Sequence, residues 1–153
     1  MAAVNRALTE QPELALGTLA VVRLHRGTGG DLALASLSAG HPLPLLIRDG
    51  AVHELGAPGP IAGVFEDAAW PMTDTPLRQG DTIVLYTDGV LDTVGDAGRF
   101  GDERLLALLE GAPADPTAVV ARIDAALAGF QAGPQRDDTA IVAITVEDAH
   151  ATP

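Results

Sequence analysis

The run Thr82 to Tyr86 is apolar and β-branched, is entered through Gly80-Asp81, and is followed at once by Asp88-Gly89. Such a run reads as a strand covered on both faces, so the whole stretch from Asp81 to Thr93 anchors the expected fold. Asp88 then stands near the mouth of a buried strand. Burying a carboxylate there is costly unless a metal, a cation or hydrogen bonds compensate, so Asp88 is expected to have a partner. Gly89 is expected to give the backbone room to turn beneath it. An isolated Asp-Gly is also an ordinary turn after a strand, and the remaining chain must decide between the two readings.

On the N-terminal side, Val4, Ala7 and Leu8 predict a helix over Ala2 to Glu10 that stops near Pro12. Leu16 to Leu24 and Leu32 to Ser38, joined by the Gly-rich turn Gly27 to Gly30, predict a hairpin. Strands are also expected over Leu43 to Ile47 and Ala51 to Leu55, with Asp49-Gly50 as a hairpin turn between them. Gly56 to Gly63 reads as loop, and Met72 to Leu77 as a strand. Downstream of the anchor, Asp92 to Gly101 reads as loop. A helix from Asp102 through Glu110 buries Leu105, Leu106, Leu108 and Leu109 and stops at Gly111. Asp115-Pro116 opens another, in which Val119, Val120, Ile123, Leu127 and Phe130 keep a helical period. Gln131 to Arg136 reads as loop, Thr139 to Val146 as a last strand, and residues 148–153 as a disordered tail after a domain over 1–147.

Composition narrows the function classes. The formal net charge of −12 repels nucleic acid and anionic membranes, and the nine basic residues, all Arg, form no cluster. Cysteine is absent, which removes disulfides, thiolate catalysis and Cys-ligated metals. The first thirty residues do not read as a secretory signal and no apolar stretch reaches membrane-spanning length, so a cytoplasmic location is expected.

A second acidic pair, Asp137-Asp138, immediately precedes the last expected strand, as Asp88 follows the anchor strand. If the two strands pair antiparallel, the acids meet at one end. Converging carboxylates repel one another unless a hard divalent cation neutralises them, and Mg²⁺ or Mn²⁺ suits oxygen ligands. Solvated turn acids are the alternative.

Several ordered motifs carry a resemblance. They are Ser38-Ala39-Gly40-His41-Pro42 with Pro44-Leu45-Leu46, Gly59-Pro60-Ile61-Ala62-Gly63, Gly80-Asp81 with Leu85-Tyr86-Thr87-Asp88-Gly89-Val90, Phe100-Gly101 with Arg104-Leu105, and Asp137-Asp138-Thr139. Together they resemble the metal-dependent PPM-type serine/threonine phosphatases, in their SpoIIE-like bacterial branch. The resemblance implies an α+β fold, an antiparallel β-sandwich flanked by helices. It also implies a two-metal Mn²⁺ or Mg²⁺ site that activates water against a phosphoserine or phosphothreonine. By resemblance Asp88, Asp137 and Asp138 are the metal residues, Asp138 in the adjacent, more variable position, and Gly89 carries the backbone past the metal. The implied substrate is a regulatory phosphoprotein such as an anti-sigma-factor antagonist.

The departures matter too. The family's upstream Gly-Asp-x-x-Asp and Gly-Asp-Val-x-Gly-His-Gly segments do not occur here, so the chain resembles the C-terminal portion of the domain, with its N-terminal part missing. Asp92-Thr93 stands where members commonly carry Glu-Ala. Weak or absent activity of this chain alone is the expectation, with exposed sheet edges that invite a partner chain. The rival reading is a non-catalytic interaction module or a truncated fragment that docks on a partner. Gly40, His41 and Pro42 are expected to form a structural turn rather than a metal site. His25, His53 and His150 are expected at the surface, and Trp70 as a packing anchor. Asp88-Gly89-Val90-Leu91-Asp92 also looks like a haloacid-dehalogenase motif, but the nucleophilic Asp of that chemistry is replaced by Tyr86.

Overall fold

The apolar run after Gly80-Asp81 is indeed a strand, and the chain around it is a mixture of antiparallel sheets and helices. In chain order the elements are α1 (Ala2–Thr9), β1 (Leu19–Arg26), β2 (Leu32–Ala39), β3 (Leu45–Arg48), β4 (Ala51–Glu54), β5 (Thr73–Pro76), β6 (Thr82–Tyr86), α2 (Asp88–Asp92), β7 (Val94–Gly95), β8 (Gly98–Arg99), α3 (Gly101–Leu109), α4 (Pro116–Phe130) and β9 (Ile141–Thr145). The computed structural model describes residues 1–27, 29–134 and 137–147; the expected tail at 148–153 and His150 lie outside them. The chain divides into two units, Met1–Pro44 with Leu55–Leu77 and Leu45–Glu54 with Arg78 onward. Among the described residues no helix is long and apolar enough to cross a membrane.

In the first unit β1, β2 and β5 form an antiparallel sheet in that order. The hairpin starts at Leu19 rather than Leu16, because Gly17 is bridged to Ala62, each N–H donating to the other's carbonyl at 3.1 Å. His25 is not a free surface histidine: its Nε2 lies 2.8 Å from Asp74 Oδ1. The pair reaches across β2, where the register sets only Ala33 and Ala35 between them. Helix α1 also corrects the apolar stripe expected of it. Val4 is 41% exposed, whereas Asn5 is 2% exposed. Asn5 donates Nδ2 to the carbonyls of Phe65 (2.9 Å) and Glu66 (3.2 Å) and accepts from the Gly63 N–H (2.8 Å). A buried amide costs little once its donors and acceptor are satisfied. Trp70 is half-buried and donates its indole N–H to the Pro60 carbonyl at 2.7 Å, a packing anchor as expected.

In the second unit the sheet order is β4-β3-β6-β9, antiparallel throughout. Asp49 (φ 53°) and Gly50 (φ 80°) both take left-handed backbone, the conformation a two-residue hairpin loop of this twist requires. Val84 and Tyr86 of β6 join Leu45 and Ile47 of β3 in a core closed by Leu105 and Leu109 of α3 and by Val119, Ile123 and Leu127 of α4. Each such side chain contributes about 1.5–3 kcal/mol when removed from water. Helix α4 begins where Asp115-Pro116 requires: Asp115 Oδ1 accepts from the N–H groups of Thr117 (2.9 Å) and Ala118 (3.2 Å). Helix α3 runs from Gly101, and Gly111 (φ 68°) follows its end, donating its N–H to the Gly50 carbonyl at 2.8 Å.

The stretch expected to be a loop over Asp92 to Gly101 is ordered instead. It contains the end of α2 and the β7–β8 hairpin. Packing explains the difference. Phe100 meets the Phe130 ring edge-on at 5.3 Å, the Val94 carbonyl accepts from Ala132 N–H at 2.9 Å, and a Cβ on Gly95 would come within 2.4 Å of the Phe130 carbonyl oxygen.

Candidate metal centre

Strands β6 and β9 pair antiparallel with Tyr86 opposite Ile141, so the two acidic segments meet at one end of the sheet. Asp88 lies two residues beyond Tyr86, and Asp138 three before Ile141. Thr87 closes the junction: its N–H donates to the Ala140 carbonyl (3.0 Å), its hydroxyl donates to the Asp138 carbonyl (2.9 Å) and accepts from Ala140 N–H (2.9 Å). Gly89 has a reason other than the turn expected of it. Its φ is not left-handed and it sits in the first turn of α2, but a Cβ there would lie 2.4 Å from the Asp138 carbonyl oxygen. Glycine lets the helix and the Asp137-Asp138 segment touch.

The carboxylate that the β6 strand buries is not Asp88. Asp88, Asp137 and Asp138 are all exposed, and the buried acid is Asp81, 1% exposed, at the other end of the strand. Arg48 ends β3 directly beside it, donating Nε to Asp81 Oδ1 at 2.8 Å and Nη2 to Oδ2, while the Arg78 N–H donates to Oδ2 at 2.8 Å. Burial pushes the Asp81 carboxyl up, but the hydrogen bonds from Arg48 and Arg78 and the charges of both outweigh it and leave it below its ordinary value. Arg48 is correspondingly raised, chiefly by its hydrogen bond to Asp81. Arg48 and Asp81 are 33 positions apart with two strands between them, and only the register makes them neighbours.

Around the acidic junction Gly89, Asp92, Thr93 and Asp137 line one recess with Gln131 and Pro134. The Thr93 hydroxyl donates to the Gly89 carbonyl at 2.8 Å, and Asp137 Oδ1 accepts from the Asp138 N–H at 2.8 Å. Asp92, one helical turn from Asp88, and Arg99, whose Nη1 lies 2.9 Å from Asp92 Oδ1, are the members of this neighbourhood that motif reading left out. The i, i+4 spacing of Asp88 and Asp92 was the available signal.

Carboxylate oxygens suit a hard divalent cation. Among the described residues no three His, Cys, Asp or Glu side chains come together as a metal site.

Gly40, His41 and Pro42 belong to the first unit, where Ser38 closes the turn. Its hydroxyl donates to the His41 carbonyl and accepts from the His41 N–H at 3.2 Å, and His41 Nδ1 lies 3.2 Å from the Thr18 hydroxyl. Gly40 has φ 65°, and a Cβ there would lie 2.4 Å from Ile61 Cγ1. His53 is exposed on β4. Tyr86, which stands where dehalogenase-type chemistry needs an aspartate, is buried, and burial with the nearby charges of Asp102 and Glu54 pushes its phenol up to about 12. A phenol held protonated in the core forms no aspartyl-phosphate.

Comparison with known proteins bears on the family and the fold. The family model for Stage II sporulation protein E (SpoIIE) matches residues 1–147. Protein IcfG of Synechocystis sp. is 29% identical over 114 residues, covering 72% of this chain and 18% of that protein. Phosphoserine phosphatase RsbP of Bacillus subtilis is 36% identical over 66 residues, covering 42% of this chain and 16% of RsbP. The SiaA-PP2C domain of Pseudomonas aeruginosa superposes with a TM-score of 0.77 at 26% identity, over 94% of this chain and 57% of that one. The chain thus spans only part of each relative, and the expected antiparallel α+β architecture is that of the SiaA-PP2C domain. This chain belongs to the SpoIIE family of PPM-type phosphatase domains, over residues 1–147.

Proposed function

We propose that this chain supplies one wall of a Mn²⁺- or Mg²⁺-dependent phosphatase site that hydrolyses phosphoserine or phosphothreonine on a regulatory protein in the cytoplasm. The family is metal-dependent. The observation that carries the reading is the β6–β9 register, which brings Asp88 and the Asp137-Asp138 segment to one sheet end in a chain of this family. Asp88 and Asp137 are the ligands, and Asp138 stands next to them. Gly89 allows the approach, and Thr87 locks the backbone that carries both acids. A bound divalent ion supplies a water of lowered pKa and neutralises charge on the phosphoryl group. The substrate class is a phosphoprotein such as an anti-sigma-factor antagonist.

Because the described acids make an incomplete cage, the chain by itself has weak or no turnover, and further ligands come from outside these two segments. Calorimetric titration with Mn²⁺ tests the reading. Heat is expected for the wild type and much less for Asp88→Asn and Asp137→Asn; no heat up to millimolar metal sinks it. Vigorous turnover of a phosphoserine peptide by this chain alone, abolished by Asp88→Asn, would overturn the incompleteness. A non-catalytic docking module is the second reading, favoured by Val142 (53% exposed) and Ile144 (36% exposed) on the edge strand β9. Absence of metal binding together with capture of a partner at that edge would select it.

A further inference from the structure

Resting on the phosphatase reading, we propose that Arg99 is the phosphate anchor of this site, held beside the carboxylates by Asp92 until a phosphorylated residue takes its place. Asp92 shares a recess with Gly89 and Asp137 and follows Asp88 by one helical turn, and its 2.9 Å contact to Arg99 Nη1 holds a guanidinium beside one residue of that recess. The hairpin that presents Arg99 is held firmly. Arg104 Nη1 donates to the carbonyls of Arg99 and Phe100, both at 3.0 Å, and its guanidinium lies 5.2 Å over the Phe130 ring. Arg104 is thereby committed to structure, whereas Arg99 is not.

The Arg99 and Asp92 side chains are 72% and 41% exposed. An ion pair so open to water contributes only about 0.2–1 kcal/mol, so exchanging Asp92 for another anion costs little. A phosphate dianion offers the guanidinium a stronger, bidentate partner, and the contact to Asp92 uses only one of five N–H donors. The chain's formal charge of −12 repels a phosphorylated substrate, and a cation at the mouth of the site offsets that repulsion locally.

The test is calorimetric titration of inorganic phosphate into the wild-type chain, Arg99→Ala and Arg99→Lys, each with and without saturating Mg²⁺. Loss of a charge-assisted pair should weaken phosphate binding about tenfold in Arg99→Ala, with Arg99→Lys between the two and the heat of Mg²⁺ binding unchanged. Equal phosphate affinity in wild type and Arg99→Ala overturns the anchor and leaves the phosphatase reading standing. No Mg²⁺ heat in the wild type, with the Arg99 effect intact in metal-free solution, overturns the phosphatase reading and leaves the anchor.

Discussion

The two ends of β6 carry the same functional group in opposite circumstances. Asp81 enters the strand with 1% of its surface exposed, two contacts to one guanidinium and a backbone N–H; Asp88 leaves it exposed, at a junction with other acids. A buried carboxylate persists only when its hydrogen bonds and charge are matched within the fold, which makes it a structural part. An exposed one beside like charges adds little stability and remains available to a ligand. Burial therefore does not mark the acid proposed for the site.

The largest expected effect breaks the buried end. Arg48→Met should destabilise the fold by about 3–5 kcal/mol in denaturant unfolding, because it leaves the buried Asp81 carboxylate unmatched, and Asp81→Asn should cost less, because the Arg48 guanidinium it leaves is partly exposed. Replacing both by apolar residues should recover most of that loss, and failure to recover would deny the pair its structural role. Next comes Gly89→Ala, whose Cβ would lie 2.4 Å from the Asp138 carbonyl oxygen. Separating α2 from that segment should cost about 1–3 kcal/mol and lower Mn²⁺ affinity as well. A variant of wild-type stability and affinity would show that the close approach is dispensable. At the exposed end Asp88→Asn should change stability by no more than about 0.5 kcal/mol while weakening Mn²⁺ binding at least about tenfold. The reverse pattern, lost stability with unchanged metal binding, would erase the contrast between the two acids.

The pH dependence separates them further. The folded carboxyl of Asp81 lies below its ordinary value of 3.8, so its contribution is present above that pH and is lost as pH falls through the folded value. Acid unfolding of Asp81→Asn should lack that limb, whereas Asp88→Asn should keep it. Tyr86, raised from 10.0 to about 12, behaves oppositely: its contribution is present below pH 10 and lost as pH rises toward 12. Tyr86→Phe should flatten the alkaline limb of the stability profile.

Much of the second unit was legible from local patterns. The cap at Asp115, the period of Val119, Ile123 and Leu127, the Asp49-Gly50 turn and the β6 run each express short-range chemistry, and the structure contains each of them. What local patterns missed depends on distant partners. Asn5 is buried because the chain around Phe65 offers carbonyls to its amide, His25 finds Asp74 across two alanines, and the β7–β8 hairpin exists because Phe130 gives it a surface. None of these partners lies within a helical or strand period of the residue that needs it.

The sequence by itself determined the type of most elements, though not the β7–β8 hairpin, and the order of the acids, since periodicity, caps and turn residues act over a few positions, and it carried the motifs of the family. Tertiary structure alone decided which acid is buried and which faces water. It did so through register: pairing β3 with β6 sets Arg48 against Asp81, and pairing β6 with β9 brings Asp88 to Asp137 and Asp138. A strand's side-chain pattern states that it pairs, but the partner's alignment settles which charges are matched and which remain open to a ligand.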